Sequence, residues 1–587
     1  DAGEEASRSL DRQAWQTTRR AKDIVSLRSH LENWQGRAAE VLGQDPTGWA
    51  ARLTRRAASR REARRIPMVH ADDLAVNNRV DELAREALDE LAASRSTWTT
   101  SNIQAAVYRA TMQVRFAATD DIVAANATIT ARVESLCVDL TPPETVHTPA
   151  KYVRADGTSA FRRTGGRIFT SATLLAAEAR LLADGRATGG PVVELEEVAR
   201  FASAPDADGR LLADDQAAAV AQIAISGRVV DVLVGPAGTG KTTTLAKLTA
   251  AWQHVHGEDS VIGLAPSAGA AQVLGDSLGI VTDNTAKWLT EQRRQPERLA
   301  IARRLRAAGR HEAADETLAE HDRWEMRAGS LVIVDEASLA GTLALDALRA
   351  QAAAAGAKLL LVGDPHQLSA VDAGGGFGLL VADREGTAPE LTGVWRFNED
   401  WERAASIRLR IGEPTVLDTY SAQGRVHAHD DATEAAYQAW RADEADGKTS
   451  LLIAGDNATV TALNARARVD RVAANLVEAQ GVHLHDGTLA GAGDRIVTRE
   501  NDRVLSTGRG WVKNGDLWDV IEAHTDGSLM VRRRTGGAAI TLPAAYVADH
   551  VELGYATTAH RAQGATVDTG HVVVDGQSVS MTREVLY

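Results

Sequence analysis

The stretch VVDVLVGPAGTGKTTTLAKL, residues 229 to 248, decides how this chain is read. It opens on a nearly continuous apolar run, the pattern of a strand buried on both faces, and ends in a helical pattern. Between them GPAGTGKT, residues 235 to 242, fits the spacing G-x-x-x-x-G-K-[ST]. Glycines at those places let backbone N–H groups curl round phosphates, and the following helix adds the positive end of its dipole. Gly235, Pro236, Ala237, Gly238, Thr239, Gly240, Lys241, Thr242 and Thr243 are therefore the candidate ATP-binding set. Lys241 is expected to reach the β and γ phosphates, and the Thr242 hydroxyl to bind Mg²⁺.

Outward from this loop the same texture continues. The runs SVIGLAP (260 to 266), SLVIVDE (330 to 336) and KLLLVGD (358 to 364) read as further strands of one parallel sheet. The second of them ends on Asp335 and Glu336. Asp335 is expected to hold the Mg²⁺ through water, and Glu336 to orient or deprotonate an attacking water. GDPHQL follows the next strand, and its Gln367 is a neutral amide suited to sensing a γ phosphate. Ahead of the loop, Gln216 in LLADDQAAAV has an amide suited to the donor and acceptor edges of adenine.

A later strand and helix, SLLIAGDNATVTALNARARV, and the run HVVVDG predict a second sheet of the same type. The segment between them, residues 485 to 547, is β-rich with Gly turns and reads as a small SH3-like barrel inserted into that second α/β domain. The expected domains are 1–95, a helical linker; 96–204, a small α+β module; 205–388, a first α/β domain with a helical insertion at about 288–328; 389–484 with 548–587, a second; and 485–547, the insertion. The module at 96–204 combines a capping-box spacing, Ser101 to Gln104, with turn signals at Asp156-Gly157 and Gly165-Gly166. It reads either as a winged helix that touches DNA through Arg162 and Arg163 or as a helical spacer with a β-ribbon.

Composition narrows the function classes. A net charge of −14 excludes a general coat of positive charge for duplex DNA or anionic lipid, so any nucleic-acid contact is a local groove. One local basic excess, residues 51 to 65 with seven Arg and one Glu, reads either as a solvated helix face or as a DNA contact. The single cysteine, Cys137, excludes a disulfide framework and a Cys-rich zinc site within the chain and fits a reducing, cytoplasmic setting. No apolar run is long enough for a membrane helix, and the beginning lacks the features of a signal peptide; opening on Asp, the chain reads as an internal piece of a longer protein.

With these motifs, APSAGAAQVL (265 to 274), LTGVWRF (391 to 397) and TTAHRAQG (557 to 564) resemble, in order and spacing, the motif series of superfamily 1 helicases in their RecD-like, 5′-to-3′ branch. That resemblance covers roughly residues 205 to 587. It implies two RecA-like domains with ATP between them and single-stranded DNA across their tops. It further implies that Arg396 reaches the γ phosphate from the second domain, so that closure and hydrolysis are coupled. By the same resemblance Pro266, Ser267 and Thr285 meet the DNA backbone, while Thr558, His560, Arg561 and Gln563 face both DNA and the ATP side. Gly269 and Thr566 depart from the family pattern. The family's last motif, a Thr-Arg-x-Arg segment, is expected to follow Tyr587, and Arg583 is read as part of the helix leading into it. Trp288, Trp324, Trp395, Trp401, Trp511 and Trp518 are candidate stacking platforms or core residues, with Trp511 and Trp518 preferred for stacking.

The N-terminal part resembles the linker and pre-helicase region of the conjugative relaxase-helicases of the MobF class. The segments that carry this are WQTTRRAKD (15 to 23), ENWQGRAAEVLG (32 to 43), RSTWTTSNIQA (95 to 105) and residues 154 to 182. It implies a relaxase domain preceding this segment in the native polypeptide, and conjugative coupling and relaxosome proteins as partners. The nicking chemistry itself is not expected here, since only His30 and His70 occur up to residue 70. The function expected is an ATP- and Mg²⁺-dependent 5′-to-3′ helicase acting on single-stranded and forked DNA during plasmid transfer. Two alternatives stand beside it: a RecD-like repair helicase, and a vestigial helicase domain that binds single strands without hydrolysing ATP.

Overall fold

The computed structural model describes residues 35–39 and 68–587, apart from 77, 144–147, 155–158, 163–165, 207–208, 369–372, 507–509, 535 and 575–581. The basic run at 51–65, the segment at 15–23, most of 32–43, the Asp156-Gly157 turn, Arg163 and Gly165 lie outside the described residues. The chain forms two compact units, Asp1–Val80 with Thr111–Ala127 and Asp81–Ala110 with Thr128–Tyr587. In the first, Asp121 receives the N–H of Ala71 at 3.0 Å, and the buried Thr111 hydroxyl donates to Asn126 at 3.0 Å. Among the described residues no helix is long and apolar enough to cross a membrane.

The expected helix after Trp98 runs Thr100–Thr111. Its start is fixed by Asn102, whose side-chain oxygen accepts from the Thr99 N–H and hydroxyl, so the helix begins ahead of the Ser101 position that the capping-box spacing suggested. Val153 and Ser159 form an isolated antiparallel bridge, and a ladder pairs Cys137–Asp139 with Phe169–Ser171. The strand at Phe169–Ser171 thus joins a distant partner. Ser171 then caps the helix Ala172–Arg186, accepting from the Leu174 N–H. That helix is riveted to the helix Thr342–Ala355 by Arg180 to Asp346 at 2.6 Å and Asp184 to Arg349 at 2.6 Å.

The central sheet has five parallel strands: β1 Val230–Val234, β2 Val261–Ala265, β3 Val281–Asn284, β4 Leu331–Val334 and β5 Lys358–Gly363. They lie in the order β1-β5-β4-β2-β3. Alternate residues feed opposite faces, as the pleat requires. Val232, Leu264, Val332, Val334, Leu359 and Leu361 pack into one core, and Leu233, Leu331, Ile333, Leu360 and Val362 into another. Two covered faces explain why these strands read as unbroken apolar runs. Helices α1 Asp214–Ile225 and α2 Lys241–His256 cover the second core, and α3 Ala268–Leu278 follows β2. The helical insertion is a hairpin of α4 Thr285–Ala307 and α5 His311–Arg323. Further on, α6 is Gly376–Asp383 and α7 is Asp400–Arg410.

The second sheet starts with β6 Ser450–Ala454 and is then interrupted. The inserted strands are β7 Arg495–Thr498, β8 Asp502–Ser506, β9 Trp511–Val512, β10 Leu517–Ala523, β11 Leu529–Arg533, β12 Ile540–Leu542 and β13 Val551–Leu553. Five of them form an antiparallel sheet in the order β12-β11-β10-β7-β13, and β8 and β9 form a separate hairpin. The ladder has β12 and β13 at its ends. The chain then completes the second parallel sheet with β14 Ala556–Thr558 and β15 Thr569–Val572, which flank β6. One core serves both parts, since Leu452 and Leu463 share it with Ile496, Trp518, Val531 and Val551. The architecture is α/β, with two parallel sheets and a β insertion in the second.

Candidate active site

The loop from Gly235 to Gly240 leaves the C-terminal end of β1 and opens α2 at Lys241. Gly238 and Gly240 take φ of 77° and 79°, the left-handed region that residues with a Cβ avoid. Space reinforces the choice. A Cβ on Gly238 would fall 2.3 Å from the Arg396 Cβ, one on Gly240 2.4 Å from the Gln216 Nε2, and one on Gly235 2.5 Å from the Lys241 Cγ. Each of these glycines is therefore a point where a predicted site residue is pressed onto the loop. Thr239 is buried and its hydroxyl donates to the Pro236 carbonyl at 2.9 Å, closing the loop from inside. Ala237 is half-buried, and Thr242 and Thr243 are exposed in the first turn of α2.

Gln216 braces the phosphate loop. Its Nε2 donates to the Thr239 carbonyl at 3.0 Å and its Oε1 accepts from the Ala213 N–H at 3.1 Å. The oxygen and one N–H of the amide cap α1 and brace the loop. The reason is burial: an amide this enclosed must satisfy its own donors and acceptors locally.

Asp335 and Glu336 sit where β4 ends. Glu336 takes a φ of 52°, a rare conformation for a residue with a Cβ. The turn brings its Oε1 to 3.7 Å from the Lys241 Nζ, while its Oε2 is buried without a hydrogen-bond partner among the described residues. Asp335 accepts the Glu336 N–H at 2.9 Å. Burial pushes the Asp335 pKa up, the Glu336 charge adds to this, and Lys241 opposes it. An orphaned buried carboxylate oxygen, a desolvated neighbour and an exposed Thr242 hydroxyl fit a divalent cation with a polyphosphate, because a cation relieves both.

Arg396 is exposed, with no ion-pair partner among the described residues. Its route to the loop corrects the second-domain expectation. The segment before it is stitched to the first sheet: Val234 N–H to Pro389 at 2.8 Å, Leu391 N–H to Val234 at 2.9 Å, and Trp395 N–H to Gly238 at 2.7 Å. Asp215 accepts the N–H groups of Thr392 and Gly393 as well. Arg396 is held at the phosphate loop by the first lobe's own backbone.

The second lobe reaches this place through Gln563, whose Nε2 donates to the Gln367 Oε1 at 3.1 Å. The turn carrying Gln367 is set by Asp364, a fully buried carboxylate that accepts from the His366 N–H, from Arg410 at 3.0 Å and from the Tyr587 hydroxyl at 3.0 Å. Asp364, Arg410 and Tyr587 were not singled out in the sequence. The only signal for Asp364 was its place in GDPHQL, and Arg410 had none beyond a charge at a helix end. Arg583 pairs with Glu584 and packs against Gly412, as a helix residue.

The residues expected to meet DNA are scattered. Ser267 is exposed but caps α3, accepting from the Ala270 N–H at 3.1 Å, and Pro266 beside it is half-buried. Thr285 is a correction: it is buried at the first turn of α4, which Asn284 caps, because that turn packs under the sheet edge. Thr558 is half-buried at the start of a short helix, His560 is exposed, and Arg561 pairs with Glu552 at 3.3 Å. Arg499 shares that carboxylate at 2.6 Å.

Among the tryptophans, Trp288, Trp324 and Trp518 are core. The first two meet edge-on at 5.7 Å, and Trp518 donates to the Thr498 hydroxyl at 3.2 Å. The preference for Trp518 as a stacking platform is thereby overturned, since a buried ring has no free face. Trp395 is 62% exposed beside Gly238, and Trp401 is half-buried. Trp511 is half-buried on the β8–β9 hairpin with the Arg503 and Lys513 charges over its ring at 4.7 and 5.5 Å. That hairpin touches the first lobe through Arg503 to Asp283 and Lys513 to Gln272, both at 2.8 Å.

Comparison with known proteins adds names to this arrangement. Residues 211–431 match an AAA domain family. A probable conjugal transfer protein TraA of Sinorhizobium fredii is 32% identical over 388 residues, which cover 64% of this chain and 31% of that protein. The chain therefore spans about a third of that relative's length. The RecBCD enzyme subunit RecD of Mycobacterium tuberculosis is 29% identical over 413 residues, 64% of this chain and 66% of RecD. A crystal structure of Pif1 helicase from Candida albicans aligns with a TM-score of 0.35 and 15% identity, covering 61% of this chain and 88% of that one. The TraA proteins and RecD are homologues of this chain.

Proposed function

We propose that this chain is the ATP-driven helicase part of a conjugative relaxase, moving 5′ to 3′ on single-stranded DNA and unwinding forked plasmid duplex during transfer. The observation that carries the reading is the approach of Glu336 to Lys241 and of Arg396 to Gly238 on one phosphate loop, with Gln563 of the second lobe bonded to Gln367 on the turn after β5. A phosphate sensor that is also the contact between lobes is what a motor needs, since it ties nucleotide state to lobe position.

In this reading Lys241 and the loop N–H groups bind the phosphates, and Arg396 stabilises charge as it develops on the γ phosphate. Thr242 and Asp335 would hold Mg²⁺, which when bound shields phosphate charge. Glu336 orients the attacking water and accepts its proton, a task suited to a carboxylate with one unpartnered oxygen. Trp395 offers a face to a nucleobase. Pro266, Ser267, Thr558, His560, Arg561 and Trp511 are the groups left at the surface for DNA, with Arg561 exchanging Glu552 for a phosphate. The energy is sufficient: a base-pair step costs about 1.4 kcal/mol of stacking, well within one hydrolysis event.

The TraA relatives, at higher identity than RecD, favour the conjugative setting over a repair complex. That setting brings a relaxase domain in the same polypeptide, coupling and relaxosome proteins as partners, and the cytoplasm as location. The test is phosphate release with and without single-stranded DNA, together with strand separation on forks bearing only a 5′ or only a 3′ tail. DNA-stimulated turnover and unwinding of the 5′-tailed fork are expected, and Lys241→Ala abolishes both. ATP binding without stimulated turnover would replace this reading with the vestigial one, and preference for the 3′ tail would overturn the polarity.

A further inference from the structure

Arg410 is 6% exposed at the end of α7, and its guanidinium holds two carboxylates at once. Its Nε lies 3.0 and 3.1 Å from the two oxygens of Asp364, and its Nη1 donates to the Glu390 Oε1 at 2.9 Å. The two acids belong to different parts of the phosphate site. Asp364 begins the turn of Gln367: its carboxylate accepts the His366 N–H at 3.1 Å and its carbonyl the Gln367 N–H at 3.2 Å. Glu390 bridges to Val234 in the segment that lays Arg396 on Gly238. A third stretch of chain joins them, since the Tyr587 hydroxyl donates to Asp364 at 3.0 Å. Burial and Asp364 push the Tyr587 pKa up, and the Ala237 N–H of the phosphate loop acts on the same hydroxyl in the opposite sense.

We propose that Arg410 is a positioning residue that sets the Gln367 turn and the Arg396 segment in register, so that both meet the γ phosphate together. The side chain suits this task because a planar guanidinium presents donors on two sides, whereas an ammonium is a point charge that satisfies one carboxylate well. Burial works against its charge, and the bonds and charges of Asp364 and Glu390 outweigh that, so the group is a fixed cation. The residue touches no phosphate in this scheme. It makes the site discriminate a triphosphate from a diphosphate by holding in place pieces that would otherwise drift independently.

The inference rests on the nucleotide-driven reading above, and its test separates the two. Binding of fluorescently labelled ADP and of a labelled non-hydrolysable ATP analogue is measured for the full chain and for Glu390→Gln, Arg410→Lys and the double variant Asp364→Asn with Arg410→Gln. Glu390 is partly exposed, so its neutral variant carries little folding risk, and the double variant leaves no unpaired buried charge. All three are expected to bind the diphosphate within about twofold of the unaltered chain and to lose about fivefold or more of the triphosphate preference. An unchanged preference in Glu390→Gln and in the double variant overturns the role of Arg410 and leaves the motor reading intact. If the unaltered chain binds neither nucleotide, the motor reading falls, and this inference with it.

Discussion

The first lobe's sheet has five parallel strands with a core on each face, while the second lobe's sheet has three and shares its one core with an antiparallel insertion. The first lobe's own backbone holds the phosphate loop and the segment that lays Arg396 on it. The second contributes a few side chains at the seam, Gln563 above all. In the proposed reading, catalysis is a property of the first lobe and the second is a lever whose position one amide contact reports. The β8–β9 hairpin, tied back by Arg503 and Lys513, is the second lobe's other grip on the first lobe.

That contrast has measurable edges. Lys241→Ala should cost the most, lowering DNA-stimulated phosphate release about 10³-fold or more while the fold persists by circular dichroism. Retained turnover would detach the chemistry from the first lobe altogether. Trp518→Ala should cost about 3 to 5 kcal/mol in denaturant unfolding, because it empties a core that the insertion and second lobe hold in common. One cooperative transition is expected for both, and a separate early transition for the insertion would show that the core is not shared in energy.

Arg396→Ala should lower turnover about 10²-fold or more, equally with and without DNA, since the first lobe holds the arginine in place. A loss confined to the DNA-stimulated rate would mean instead that lobe closure delivers it. The smallest effect is expected at the seam. Gln367→Ala and Gln563→Ala, combined in a double-mutant cycle on DNA stimulation, should show a coupling of about 0.5 to 1.5 kcal/mol. Additive effects would leave the two lobes energetically independent at this contact.

Much of the first lobe was legible. Its strands announce themselves as apolar runs because both faces are covered, and the phosphate loop because Gly238 and Gly240 need a left-handed backbone. In the insertion, alternation and Gly turns reveal the strands but not which of them pair. Trp518 shows the same limit, as an aromatic in an alternating strand could face either side until the register with β7 and β11 is known. Gln216 was assigned by chemistry alone, and its oxygen and one N–H bond to the protein's own backbone.

Residue order alone determined the phosphate loop, the parallel strands around it and the α/β class, because each follows from short-range rules of periodicity and backbone sterics that act over a few residues. Tertiary structure decided which lobe holds Arg396, that Thr285 is buried, and that Arg410 joins Asp364 to Glu390. Those depend on how surfaces far apart in the chain pack and satisfy buried charge, and no local pattern encodes a partner that packing alone brings within reach.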